Sequence, residues 1–191
     1  MGTDNIILMR DAKASLKGKW ALAIGTFLIY SLIVCAFGAK PQTGIVSLLI
    51  SGPMMLGAAK FSLTMSRGEE ARLEQIFDGF KAFGTALATY LLMMLFIVLW
   101  MLLLIIPGII AAMSYSMTFY LLADDHSLRP MDALNKSKQL MDGYKWKLFY
   151  LCLRFFLLAL LCVLTLGIGF LWLIPYVNIT MAKFYDDIKD R

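Results

Sequence analysis

The sequence predicts an all-α integral membrane protein of six transmembrane helices, arranged as three repeated helical hairpins, each preceded by an interfacial amphipathic helix. Three observations predict it. The chain is a succession of apolar runs, most of them near the roughly 20 residues that cross a bilayer. Its basic residues are concentrated in every second connection between those runs. A short Asp-Gly-aromatic-Lys pattern returns after 64 residues, close to a third of the 191-residue chain.

Composition agrees. Hydrophobic residues make up 60% and charged residues 16%, against roughly 45–50% and about 25% in soluble domains. Mean hydropathy is +0.75. The net charge of +5 is therefore read through loop placement. The 18 Lys and Arg form no basic domain and accompany no nucleic-acid motif, so no nucleic-acid partner is expected. Cys35, Cys152 and Cys162 lie inside apolar runs without C-x-x-C spacing, and His126 is the single histidine. Neither a metal nor a cofactor is expected from such a set.

Residues 4–18 read as an amphipathic helix capped by Asp4 or Asn5, with Ile6, Met9, Leu16 and Trp20 on one side and Arg10, Lys13, Lys17 and Lys19 on the rest. Span one follows at 20–37. Its long, helical leader and poor cleavage match argue for a permanent span instead of a removed signal. Span two covers 45–65, with Gly52-Pro53 as a kink and Ser47/Ser51 offering a close helix contact. In 66–83 the stripe Leu73, Ile76, Phe77, Phe80 opposes Glu69, Glu70, Arg72, Glu74 and Asp78, which predicts a second interfacial helix. Apolar sequence then runs from 85 to 123, interrupted by Pro107-Gly108. One helix over that stretch would be roughly 58 Å long, nearly twice a hydrocarbon core, so two spans, 85–106 and 109–123, joined by a Pro-Gly turn are expected. A third interfacial helix is capped by Ser127, has Pro130 in its first turn and stops at Gly143. Spans five (148–166) and six (170–182) form a hairpin around Leu166-Gly-Ile-Gly169.

Basic residues before span one and in successive connections number four, one, three, none, five, none and three. This alternation places both termini in the cytoplasm. Ile76-Phe-Asp-Gly-Phe-Lys81 matches Leu140-Met-Asp-Gly-Tyr-Lys145, and Ala59-Lys-Phe61 matches Ala182-Lys-Phe184. Residues 1–191 thus read as a single membrane domain of three repeats, approximately 4–68, 69–126 and 127–191.

The polar residues that a bilayer makes expensive are the site candidates. Arg154 lies about seven residues into span five. It either snorkels or pairs with Asp124, Asp125 or Asp186, or it marks a site for an anionic headgroup or substrate. The pairs Glu69–Glu70, Asp124–Asp125 and Asp186–Asp187 follow successive second spans and would either converge on a cation or cap and neutralise their neighbours. Trp20, Lys145, Trp146 and Lys147 are read as interfacial anchors facing anionic lipid headgroups. No nucleophile–base pair, phosphate loop or H-E-x-x-H occurs, so no catalytic residue is assigned and an enzyme is the least favoured class.

Leu104-Ile-Ile-Pro-Gly-Ile-Ile110, Ala133-Leu-Asn-Lys-Ser-Lys138, Met141-Asp-Gly-Tyr-Lys-Trp-Lys147, Leu166-Gly-Ile-Gly169, Pro175-Tyr176 and Phe184-Tyr-Asp186 resemble the bacterial domain-of-unknown-function 975 family of polytopic membrane proteins. A more distant likeness is to the membrane region attached to some glycerophosphodiester phosphodiesterases. Where that resemblance implies a Leu-Ser-Phe-Ile-Gly-Trp-like stretch, this chain has Leu153-Arg-Phe-Phe-Leu-Leu158, which makes Arg154 particular to it. The resemblance implies a multi-pass protein of the bacterial plasma (inner) membrane and brings no catalytic residues. The expected function is a non-enzymatic accessory or scaffold working at the cytoplasmic interface through lipid, a membrane-protein partner or a second copy. The alternative is a small transporter or channel with a site between the hairpins near Arg154.

Overall fold

The computed structural model describes residues 3–38 and 44–189, and these are all helix, turn and connection. The short connection expected at 38–44, with Lys40 and Pro41, falls largely outside the described residues. The helices are α1 (Asn5–Leu16), α2 (Trp20–Gly38), α3 (Gly44–Ser66), a 3-10 helix (Leu73–Ala82), α4 (Phe83–Leu103), α5 (Ile105–Ser114), α6 (Thr118–Asp124), α7 (Pro130–Leu140), α8 (Lys145–Leu164) and α9 (Phe170–Lys189).

Asp4 caps α1, accepting from the Ile6 amide at 3.0 Å, which satisfies one orphan donor of the first turn. The buried face only partly follows the expected one, keeping Leu16 and half-burying Met9 and Trp20. Leu8, Ala12 and Leu16 are buried while Ile6 is 60% exposed, because α1 lies on α9 and α3 and presents its i, i+4, i+8 row to them. α3 continues through Pro53 as one helix. The Ser51 hydroxyl bonds back to the Ser47 carbonyl at 2.7 Å, and the close backbone packing begins at the next residue, Gly52, where a Cβ would stand 2.6 Å from the Ala86 carbonyl oxygen.

The segment 73–82 is helical but wound as a 3-10 helix. With three residues per turn the packed row becomes i, i+3, i+6: Ile76 and Gly79 are buried, while Phe77 and Phe80, assigned to the apolar stripe, stay 41% and 39% exposed. This row lies directly on α3. A Cβ on Gly57 would stand 2.5 Å from the Ile76 carbonyl carbon, and one on Gly79 would stand 2.8 Å from that of Pro53. Backbone meets backbone here, and only two glycines permit it. The 3-10 helix then runs straight into α4.

The expected Pro107-Gly108 turn is a correction. The break falls at Leu104 alone, whose backbone is extended (φ −163°, ψ 144°), and α5 starts at Ile105. Pro107 sits in the first turn of α5, where its missing N–H costs nothing. Gly108 lets α5 close on α4, since a Cβ there would lie 3.0 Å from the Met101 Cα. The second correction is that span four is not one helix: residues 115–117 separate α5 from α6. The third is that Ser127 does not cap α7. Its amide and hydroxyl both donate to Asp125, at 3.0 and 2.6 Å, and Arg129 stands at the cap position with Pro130 as the first helical residue.

α3 packs against both α6 and α9 at the centre, with α2, α4 and α8 outside them. The larger buried cluster joins Leu56 and Leu63 to Leu122, Leu148, Phe155, Phe184 and Tyr185; a smaller one joins Leu16, Phe27, Phe61 and Ile179. Phe27 meets Phe61 edge to face at 5.8 Å. At one end the surface is apolar: Leu102, Leu103, Leu104, Ile105, Ile106, Leu164 and Leu166 are all more than 60% exposed. At about 25 cal/mol per Å², such exposure is costly in water and costs nothing in lipid.

Candidate functional site

The opposite end of the bundle is charged. Arg67, just past α3, bridges two carboxylates: its Nη1 reaches Asp124 Oδ1 at the end of α6 at 2.8 Å, and its Nη2 reaches Asp186 Oδ1 on α9 at 2.7 Å. The other Asp124 oxygen accepts from the Tyr185 hydroxyl at 3.1 Å and pairs with Lys189. Tyr185 in turn stacks on Tyr120 at 5.9 Å. The hydrogen bonds that Arg67 donates to Asp124 and Asp186 hold its guanidinium above its ordinary pKa. Burial, then the neighbouring Asp124 charge, pushes the Tyr185 phenol up. Two cations thus meet two anions in a closed set that ties the ends of α3, α6 and α9 together, leaving little free charge for a ligand.

Of the three acidic pairs, Asp124 and Asp186 come together, and they do so around an arginine. Asp125 turns to Ser127. Glu70 makes only a loose, exposed contact with Arg72 at 3.6 Å, and Glu69 offers its backbone carbonyl to Lys19 at 3.0 Å. Among the described residues no group of three or more His, Cys, Asp or Glu is placed to hold a metal.

A second lock holds α1 and α8 to α9. Lys147 Nζ pairs with Asp187 Oδ2 at 2.6 Å with side chains only 17% and 8% exposed. The Thr3 amide donates to the same carboxylate at 3.3 Å, and Asn5 donates to the Lys147 carbonyl at 2.9 Å. Lys147, read as a headgroup anchor, is thereby drawn into an internal pair, while Trp146 remains 72% exposed. Burial raises the Asp187 pKa, but Lys147 and Thr3 outweigh it and hold the carboxyl below its usual range. A depressed carboxylate stabilises the fold above its unfolded pKa of about 3.9 and ceases to as pH falls through the folded value. Asp187→Asn should therefore melt below wild type at pH 7, and the gap should close as the pH is lowered below about 4. Melting of the detergent-solubilised protein across pH checks this; a gap that is constant with pH counts against it.

Two apolar grooves open on the surface, each with basic residues along it. One, of about 540 Å³, lies between α5 and α8, lined by Ile106, Ile109, Met113 and Phe149, with Lys145 and Trp146 at its edge. A recess beside it shares Ile110 and Lys145 and adds Ser114, Tyr115 and Lys138. Neither lysine has an ion pair among the described residues. The other groove, of about 530 Å³, is bounded by α1, α8 and α9 and carries Lys13 and Trp20 beside Leu158, Leu161 and Trp172. Arg154 is half-buried on α8. It shares the i, i+4, i+7 row with Leu158 and Leu161. It makes no ion pair among the described residues, and Asp124 and Asp186, two of its expected partners, are held by Arg67.

Sequence reasoning missed Arg67, Lys189, Lys13 and Lys138 as site residues. A signal for Arg67 existed: Asp124 and Asp186 occupy equivalent places 62 residues apart, and two carboxylates at converging helix ends require a cation between them.

Five helical stretches among the described residues are long and apolar enough to cross a membrane: Trp20–Phe37, Gly44–Ser66, Leu73–Leu103, Ile105–Asp124 and Lys145–Leu164. With the exposed apolar end, they define the class as an all-helical protein of membrane-embedded character. Residues 101–191 match the family model described as "Protein of unknown function (DUF975)", and over those residues the chain is similar to that family. No curated protein and no solved structure matches.

Proposed function

We propose that the chain is a non-enzymatic, six-span accessory or scaffold protein of the bacterial inner membrane, with both termini cytoplasmic, that holds anionic phospholipids at the cytoplasmic interface. The groove between α5 and α8 carries this reading: an apolar slot for an acyl chain with Lys138, Lys145 and Trp146 beside it, and lysines without an ion pair among the described residues. The alternation of basic connections supports the orientation. The sixth span is α9, whose polar half from Lys183 onward belongs to the charged end. Three hairpins built as parallel repeats are supported by the equivalence of Asp124 with Asp186 and by the full burial of Phe61, Leu122 and Phe184, spaced by 61 and 62 residues.

Each lysine near an anionic surface contributes about 1 kcal/mol. Removing two should weaken lipid retention roughly 30-fold. Native mass spectrometry of protein released from phosphatidylcholine membranes containing phosphatidylglycerol measures this. Wild-type protein should retain phosphatidylglycerol preferentially, and Lys138→Ala/Lys145→Ala should not. Equal retention by both would remove the groove's role, and no preference in wild type would remove the reading itself.

A further inference from the structure

We infer that the half-open recess between α2, α3, α6 and α9 binds a small, uncharged polar solute of the amide or alcohol class. This goes beyond lipid retention and does not depend on it. The recess, about 290 Å³, is bounded by helices of all three predicted hairpins and lined by Tyr30 and Ser31 on α2, Ser116 at the α5–α6 break, Tyr120 on α6 and Asn178 on α9. Its remaining walls are apolar, and among the described residues no charged side chain lines it.

The helix break opens into this space. Between Ser114 and Thr118 the regular ladder is replaced by short-range bonds, Ser116 N–H to the Met113 carbonyl at 3.4 Å and Thr118 N–H to the Tyr115 carbonyl at 3.1 Å. Irregular backbone inside a membrane bundle is tolerated where it is covered by protein or faces a polar cavity. Broken helices around a central site are one recurrent use of it.

The hydrogen-bond inventory gives the ligand chemistry. The Ser31 hydroxyl donates to the Phe27 carbonyl at 2.8 Å and the Ser116 hydroxyl to the Met113 carbonyl at 2.8 Å, so both present lone pairs to the recess. Asn178 donates its amide N–H to the Ile174 carbonyl at 2.9 Å, which leaves Oδ1 as an acceptor. Tyr120 donates to the Asn178 carbonyl at 3.3 Å. Tyr30 has no hydrogen bond among the described residues and supplies a free O–H. With the second Asn178 N–H, the recess therefore offers two donors beside these acceptor oxygens, without a counter-charge. Such a set fits a small molecule that carries both N–H or O–H donors and an acceptor. It excludes ions, because a buried charge without a partner is strongly disfavoured. A dry recess would leave the Tyr30 hydroxyl without a partner among the described residues.

Saturation-transfer NMR on the full chain in nanodiscs tests this with acetamide, glycerol and acetate as probes. Acetamide or glycerol should give a saturable signal that falls at least fivefold in Tyr30→Phe, which removes one oxygen and keeps the ring. The same fall is expected in Asn178→Leu. Arg154→Gln, outside the recess, should bind as wild type does. Tyr30→Phe keeps the test valid if the leucine variant misfolds. No saturable signal from either neutral probe, an undiminished signal in Tyr30→Phe, or stronger binding of acetate would each overturn the proposal, the first meaning that the recess holds water alone.

Discussion

Gly57→Ala should cost the protein about 3 kcal/mol or more, and Gly79→Ala should do the same, because each adds a methyl where two backbones already touch. At Gly57 the intruding Cβ meets the carbonyl of Ile76, and at Gly79 it meets that of Pro53. Neither obstacle is a side chain that can rotate away, so α3 and the 3-10 helix would have to separate. Separation would uncover Ile76, now fully buried, and loosen the ion pair of 2.8 Å between Lys60 and Asp78 that spans the same contact. For a chain of this length the loss corresponds to a fall of roughly 6–12 °C in melting temperature. Gly84→Ala is the matched control: nothing lies within 4 Å of its added methyl, and alanine favours the helix, so its melting should stay level or rise slightly. If Gly57→Ala and Gly84→Ala melt alike in detergent, the contact does not hold the bundle together.

That contact shows what the sequence could and could not reveal. Apolar runs of near-bilayer length placed α2, α3, α4 and α8 to within a few residues, since in lipid a helix of that length is almost the only way to satisfy the backbone. Breaks inside such runs were harder to read. Pro107-Gly108 has the composition of a turn, yet proline in a first helical turn and glycine at a helix crossing are equally ordinary uses of the two residues. The true break within span four, at Tyr115-Ser-Met117, contains neither proline nor glycine. Only its serine and threonine hydroxyls, bonding back at Ser114, Ser116 and Thr118, mark a weakened ladder. The 3-10 winding of 73–82 was likewise invisible, because a row of three against a row of 3.6 differs by too little over ten residues, and α3 selects between them. In the candidate site, Asp124 and Asp186 stood out as repeated acidic positions. Their partner did not, because Arg67 belongs to a basic connection whose residues all serve the topology equally well. Arg154 was conspicuous for its burial cost alone, and the structure gives it an apolar row beside a lipid-sized groove instead of an acidic partner.

Arg67→Met should be the most damaging single change at the charged end, by about 2–4 kcal/mol. The estimate lies below the full cost of breaking a deeply buried pair because the Arg67 side chain is 33% exposed, so water screens part of the loss. Without the guanidinium, Asp124 and Asp186 face each other across the junction of three helices, with Lys189 able to neutralise only one of them. The repulsion, more than the lost attraction, drives the effect, and this makes it separable. Asp186→Asn in the Arg67→Met background should recover at least 1 kcal/mol, although Asp186→Asn alone should destabilise. A general loss of packing would show no such recovery. Arg72→Met provides the contrast, since its contact with Glu70 is long and its side chain 71% exposed; such a pair contributes under about 1 kcal/mol. The cycle is measured by melting in detergent at neutral pH. Additive effects of Arg67→Met and Asp186→Asn would mean that the bridge between α3 and α9 carries no coupling, and that the ends of the central helices are held by apolar contacts alone.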